Sequence, residues 1–225
     1  MFSGITGNYD ILNHLISFGL DSGWRKAAAK KCLSDSPDMV VDIGSGTGDL
    51  AFHIEEFSKE STSIIALDFS VEMLEKALEK RAIKGSRIEV ILSDAGALPF
   101  ADNSVDCITT SFSFRNLTYR NPRAEKNLRE IHRVITPGGR FIVVESSQPE
   151  SEIFKKLFHI YSRYYVTNVG SMVSGNKKAY RYLGTSMANY YEPGKVKDML
   201  EGSGFTNITY EPLTFGLAGI HTASK

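Results

Sequence analysis

The sequence predicts an α/β fold: a doubly wound, mostly parallel sheet of seven strands with an antiparallel C-terminal edge. Three observations carry this expectation. Short apolar runs alternate with segments of helical period up to about residue 145, the pattern of strand–helix–strand units whose sheet is covered on both faces. The first of these runs ends in Asp42 and enters a turn with glycine at 44, 46 and 48, as a strand does when it feeds a tight turn and then a helix. The last two strand patterns, 205–211 and 216–223, are joined closely through Glu211-Pro212-Leu213-Thr214-Phe215, a connection suited to antiparallel pairing.

The elements follow in order. Strands are expected at 39–43, 63–67, 87–92, 104–110 and 139–145. Between the second and third, Leu74, Ala77, Leu78 and Ala82 recur at helical spacing, Ser70 is placed to cap that helix, and Glu72 stands one turn from Lys76. Between the fourth and fifth, Asn121-Pro122 reads as a cap followed by proline at the first helical position, and Ala124, Leu128, Ile131 and Ile135 form the apolar stripe. Thr136-Pro137-Gly138-Gly139 ends that helix. A helical, aromatic-rich stretch then runs to about 191, followed by a helix over 194–202. Residues 1–225 read as one domain, with 1–35 as an N-terminal helical cap and 150–192 as a helical insertion on the substrate side.

Composition narrows the function classes. A hydrophobic content of 42% argues for a packed core. Lys plus Arg equals Asp plus Glu at 26 each, so no global basic field points to nucleic acid or to an anionic membrane. Cys32 and Cys107 lack metal-ligand spacing, and Cys107 lies in an apolar run as a small buried hydrophobe would. No apolar run approaches the ~18 residues of a membrane span, and the first residues lack a basic region followed by an apolar stretch. The expectation is a cytoplasmic enzyme that needs no metal. His14, His53, His132, His159 and His221 are scattered, with His53 and His132 among charged neighbours, where solvated rings are expected.

The chemistry-bearing residues sit at strand ends. Ligands of doubly wound sheets bind beyond those carboxyl ends. Gly44, Gly46 and Gly48 give G-x-G-x-G rather than the dinucleotide spacing G-x-G-x-x-G, which resembles the first motif of the S-adenosylmethionine (SAM) dependent methyltransferases. The helix after it would aim free N–H groups at a ligand carboxylate. Asp68, followed by Phe69, ends the second strand 20 residues past Gly48, where an acid can hold both ribose hydroxyls. Asp94-Ala95 ends the third, suited to an adenine edge, and Ser111 ends the fourth, facing the methionine end. The alternative for each aspartate is a solvated loop carboxylate or a helix cap.

The chain as a whole resembles the ubiquinone/menaquinone biosynthesis C-methyltransferases. The residues that carry this resemblance are Tyr9-Asp10-Ile11-Leu12-Asn13, Trp24-Arg25, Asp42 to Asp49, Asp68-Phe69-Ser70, Leu98-Pro99-Phe100, Phe112-Ser113-Phe114-Arg115-Asn116, and the segment from Ser174-Gly175 to Tyr182-Leu183. It implies a Rossmann-like fold, SAM as cofactor, and a prenylated quinol such as demethylmenaquinol as methyl acceptor. A homodimer and transient contact with a membrane surface are further expectations. Carried over by position, the SAM contacts are Thr47, Asp68, Asp94, Ala95 and Ser111. The sequence departs from the family at Ser147-Gln148-Pro149, Thr185 to Tyr191 and the last five residues, which bears on the acceptor more than on SAM.

Methyl transfer from a sulfonium needs alignment and exclusion of water above all. Arg115 stays protonated and cannot be an ordinary base; it is expected to stabilise a developing phenolate, with Asn116 as a second polar anchor and Tyr9 and Asp10 closing from the N-terminal segment. A surface salt bridge in a capping loop is the alternative for Arg115-Asn116. The stripe Phe154, Leu157, Phe158, Tyr161 and Tyr165 reads either as core or as a greasy passage for a prenyl tail, with Lys155, Lys156 and Arg163 beside it. Other function classes remain open: a SAM methyltransferase of another small apolar acceptor, a nicotinamide oxidoreductase (against which the glycine spacing weighs), or a SAM-binding module without catalysis.

Overall fold

The computed structural model describes residues 9–149, 151–174 and 177–225, with the side chains of 9, 11, 12, 173, 174, 178 and 179 outside the description. Strands β1 (Met39–Ile43), β2 (Ser63–Asp68), β3 (Glu89–Leu92), β4 (Val105–Ser111), β5 (Ile135–Ser146), β6 (Thr206–Leu213) and β7 (Ala218–Ser224) form one seven-stranded sheet in the order 3-2-1-4-5-7-6. The pairings from β3 to β5 are parallel, and β7 runs antiparallel to both β5 and β6.

Alternation along the strands builds two cores. Val41, Ile43, Ile65, Leu67, Ile108, Phe141 and Val143 point to one face, while Val40, Ile64, Ala66, Cys107, Ile142 and Val144 point to the other. The first face is covered by α6 (Ala124–Val134) and α10 (Pro193–Glu201), through Leu128, Ile131, Val196 and Leu200. The second is covered by α2 (Leu20–Cys32) and α3 (Asp49–Phe57), through Ala28, Ala29, Leu50 and Ile54. Helix α1 (Tyr9–Ile16) precedes α2 across Gly19, whose φ of +77° turns the chain.

Helix α4 (Val71–Lys84) is capped by Ser70, whose Oγ accepts from Met73 N at 3.4 Å, but it buries Met73, Leu74 and Ala77 rather than Leu78, which is exposed. Lys76 pairs with Glu79 instead of Glu72. Helix α6 starts at Ala124, two residues later than the proline signal suggested, because Asn121 Oδ1 accepts from Arg123 N and keeps the preceding residues in a turn. Ile135 leaves the helix stripe and starts β5, which continues through Pro137-Gly138-Gly139 as an irregularity opposite Val105 and Cys107. Residues 152–174 and 177–188 form α7 (Glu152–Ile160), a π-helical turn (Tyr161–Val166), α8 (Thr167–Ser174) and α9 (Lys177–Ala188). A short α5 (Phe114–Thr118) follows β4.

Candidate active site

A cavity of about 460 Å³ opens at the carboxyl ends of β1, β2 and β4, where strand order reverses about β1. Its walls come from Gly44 to Thr47, from Asp68 to Met73 and from Ser111 to Ser113. Gly44, Gly46 and Gly48 have φ of +63°, +56° and +86°, a region that L residues enter at a cost. A Cβ on Gly44 would also collide with the Ser113 hydroxyl, so this position needs glycine for its backbone and for its space. Asp68 ties the turn to β2: Oδ2 accepts from Gly46 N at 2.8 Å and Oδ1 from Ser70 N at 2.9 Å. Burial raises its pKa against the pull of those hydrogen bonds.

Of the residues expected at the cofactor, Gly44, Gly46, Thr47, Asp68, Phe69 and Ser111 line this cavity. Four others are placed elsewhere. Asp42 is fully buried beneath the turn, takes a hydrogen bond from Thr109 Oγ1 at 3.0 Å, and has its pKa pushed up to about 7 by burial. Gly48 caps α3. Asp94 is held by Gly96 N at 2.9 Å and by Arg123 Nη2 at 2.7 Å, which keep its pKa low. Ala95 packs into the core. A carboxylate at a strand end is drawn to whichever donors its own loop offers, and the 93–97 turn supplies one for Asp94. Asp10 lies at the glycine turn rather than beside Arg115: it accepts from Thr47 Oγ1 at 2.6 Å and pairs with Lys80 at 2.6 Å, and Lys80 also holds Asp49 at 2.6 Å. Tyr9 begins α1, and its side chain lies outside the described residues, as do the side chain of Ser174 and the whole of Gly175.

A second, mostly apolar cavity of about 280 Å³ adjoins the first, and Arg25, Phe112 and Asn116 line both. Phe112 takes φ of +55°, a conformation bulky residues rarely adopt; it packs on Trp24 at 5.9 Å and under the Arg25 guanidinium at 5.3 Å. Arg25 is buried, donates from Nε to Ser111 Oγ at 3.1 Å and pairs with Asp21 through Nη1. Arg115 is also buried and lines the second cavity; its Nη1 donates to Glu145 Oε1 at 3.0 Å and to Ser146 Oγ at 2.8 Å, and its backbone N to Glu145 Oε2 at 3.0 Å. The surface salt-bridge alternative for Arg115 is therefore excluded by its burial. Both arginines reach this wall as halves of ion pairs, so it presents oriented dipoles rather than bare cations.

The profile of the ubiE/COQ5 methyltransferase family matches residues 1–225 of this chain. The chain belongs to that family. A demethylmenaquinone methyltransferase of Thermus thermophilus is 38% identical over 225 residues, covering 100% of both chains. The demethylmenaquinone methyltransferase of Deinococcus radiodurans is 38% identical, covering 100% of this chain and 91% of its own. A ubiquinone/menaquinone biosynthesis C-methyltransferase of Escherichia fergusonii is 34% identical, covering 100% and 89%. Among solved structures, a SAM dependent methyltransferase from Aquifex aeolicus superposes with a TM-score of 0.58 at 22% identity, over 82% of this chain and 80% of that one. This likeness bears on the fold. The protein is a methyltransferase that uses SAM.

The first cavity fits that donor: a glycine-rich turn, the start of α3, and a buried acid at the end of β2 surround it. Sequence reasoning passed over Asp21, Glu145 and the wall role of Arg25 and Phe112. In the sequence Arg25 and Phe112 carry only the family resemblance, and Asp21 and Glu145 lie within otherwise ordinary helix and strand patterns, so no local signal marks them. The aromatic stripe divides: Phe158 is buried, whereas Phe154 and Leu157 are exposed, and all three line the second cavity with Tyr161. His53 bonds Ser22 and Glu56, and His132 stacks edge-on against Phe205 at 5.0 Å, so neither ring is merely solvated. Among the described residues no three His, Cys, Asp or Glu side chains are grouped to hold a metal ion.

Proposed function

We propose that this protein methylates the ring carbon of a prenylated quinol, demethylmenaquinol or a close relative, in quinone biosynthesis. The observation that carries this reading is the shared wall: a glycine-floored cavity and an apolar cavity meet at Arg25, Phe112 and Asn116. The names of the full-length relatives point to the same acceptor. SAM held in the first cavity by Gly44, Gly46, Thr47, Asp68, Phe69 and Ser111 supplies an electrophilic methyl group. Phe112 and Asn116 fix how closely an acceptor ring approaches it. The Arg115–Glu145 and Arg25–Asp21 pairs stabilise phenolate character without a free cation. Residues 1–35, with Tyr9 and Asp10, act as the cap, and 150–192 as the acceptor-side insertion.

The mouth of the apolar cavity favours a lipid-dissolved acceptor. Phe18, Leu157, Ile153, Ile160 and Phe215 are between 55% and 75% exposed around or beside it, more apolar surface than scattered residues account for. No helix among the described residues is long and apolar enough to cross a membrane, so contact would be peripheral, with Lys155, Lys156 and Arg163 at hand for anionic headgroups. Incubation with SAM and a panel of reduced quinones, read by mass, is expected to add one methyl to the demethylated prenyl quinol. Methylation of simple phenols in preference to every quinol would overturn the acceptor. Flotation on anionic liposomes should be lost in Phe18→Ser/Ile153→Ser/Phe215→Ser; no binding of the wild type would leave the rim as packing surface. Sedimentation at micromolar concentration tests the expected homodimer.

A further inference from the structure

Exchanging a ring hydrogen for methyl forms one C–C bond, breaks the S–CH3 and ring C–H bonds, and returns the C–H electron pair to the aromatic ring. One proton is left over, and it must leave an apolar cavity. Arginine cannot take it. Among the described residues lining that cavity, Asp21 is the one carboxylate, and no histidine lines it.

Asp21 is 7% exposed and lies in the first turn of α2, where the helix dipole favours its anion. Its Oδ1 accepts from Ser17 Oγ at 2.8 Å and faces His14 Nδ1 at 3.1 Å, while Oδ2 takes Arg25 Nη1. Burial alone would raise its pKa, but Arg25, Ser17 and His14 together hold it below the ordinary value. His14 is 63% exposed at its side chain, so the pair spans from cavity wall to solvent. The His14 ring packs closely on the backbone: a Cβ at residue 19 would stand 3.2 Å from it, and Gly19 also needs its φ of +77°. Imidazole is the side chain whose charge changes nearest neutral pH.

We propose that Asp21 and His14 form the proton exit of the acceptor site: the Asp21 carboxylate takes the proton released by the acceptor, and His14 carries it to water. This rests on the quinol reading above. Ser17 and Arg25 are positioning residues that orient the carboxylate. A turn lock with no part in proton transfer would give the same contacts, so the experiment must separate the two.

The experiment is single-turnover methylation of a short-tailed reduced demethylmenaquinone by wild type, His14→Ala and Asp21→Asn, with and without added imidazole, alongside calorimetric titration with S-adenosylhomocysteine. His14→Ala and Asp21→Asn are expected to slow turnover by on the order of 10²-fold or more, with nucleoside affinity within about twofold of wild type. Imidazole should restore His14→Ala in proportion to its free-base concentration and leave Asp21→Asn slow. Unchanged turnover in His14→Ala, absence of rescue, or loss of S-adenosylhomocysteine binding equal to the loss of rate would overturn the relay while leaving the quinol reading intact. A wild type that leaves the quinol unmethylated overturns both. Should Asp21→Asn fail to fold, rescue of the solvent-exposed His14→Ala decides alone.

Discussion

Gly44 is where backbone and packing constraints coincide. Its φ of +63° and the Ser113 hydroxyl beside it both reject a side chain. In Gly44→Ala, the left-handed conformation alone costs about 1–2 kcal/mol, and Ser113 must move out of the cavity wall. SAM affinity is expected to drop by tenfold or more in a calorimetric titration, with a smaller fall in thermal midpoint. Arg115 poses a different case, because its charge is matched to Glu145 inside the protein. Arg115→Ala leaves that carboxylate buried and unpaired, a loss of about 3–5 kcal/mol, or on the order of 10 °C in melting temperature. The double variant Arg115→Met/Glu145→Leu should recover most of that stability and none of the turnover. Recovery of turnover would show that the pair is structural only.

Among the elements, α1 is held to the glycine turn by charge more than by burial. Asp10 reaches Thr47 and Lys80, and Lys80 reaches Asp49 at the start of α3. These groups are partly solvated, so each pair contributes at most about 1 kcal/mol and weakens with salt. Asp10→Asn should therefore leave the global unfolding midpoint nearly unchanged. It should speed hydrogen exchange across 9–16 and weaken SAM binding a few-fold, more at low ionic strength than at high. Helix α2 behaves otherwise. It buries Ala28, Ala29 and Cys32 against the sheet while presenting Asp21, Trp24 and Arg25 to the apolar cavity, so it belongs to core and cavity wall together.

The whole molecule carries two buried groups with opposed pH responses. Asp42 titrates near pH 7 when folded instead of 3.8, so the unfolded chain ionises first and stability falls as pH rises from about 4 to 7. His221, pushed down to about 4 by burial, resists the proton that the unfolded chain accepts below about 6.5, so its share of stability falls as pH drops through that window. Each amounts to on the order of 3 kcal/mol, and in the wild type they largely cancel. Relative to wild type, Asp42→Asn should gain stability progressively from pH 4 to 7, and His221→Gln should gain it from pH 6.5 down to 4. Urea unfolding at pH 4.5, 5.5 and 7 checks both slopes; parallel profiles for all three proteins would refute them.

The strand–helix alternation, the glycine turn and Asp68 were legible from residues 39–146 because each rests on local chemistry: side-chain period, conformational freedom, and an acid at the end of a strand. Arg115 stood out through its resemblance to a family motif, and it lines the apolar cavity. Boundaries slipped where a side chain redirected the backbone, as Asn121 does before α6. The partners of Asp94 were not legible for a similar reason, since Gly96 and Arg123, which engage it, are set by the turn and by a distant loop. By itself the sequence determined the sheet, the glycine turn and the class of chemistry. Only the tertiary structure decided that α2 meets β4 to form the wall between two cavities, that Glu145 sits opposite Arg115, and that Asp21 joins cavity to surface through His14. Those contacts join residues whose nearest neighbours in sequence give no sign of them, and packing of a helix against a sheet is what brings them within reach.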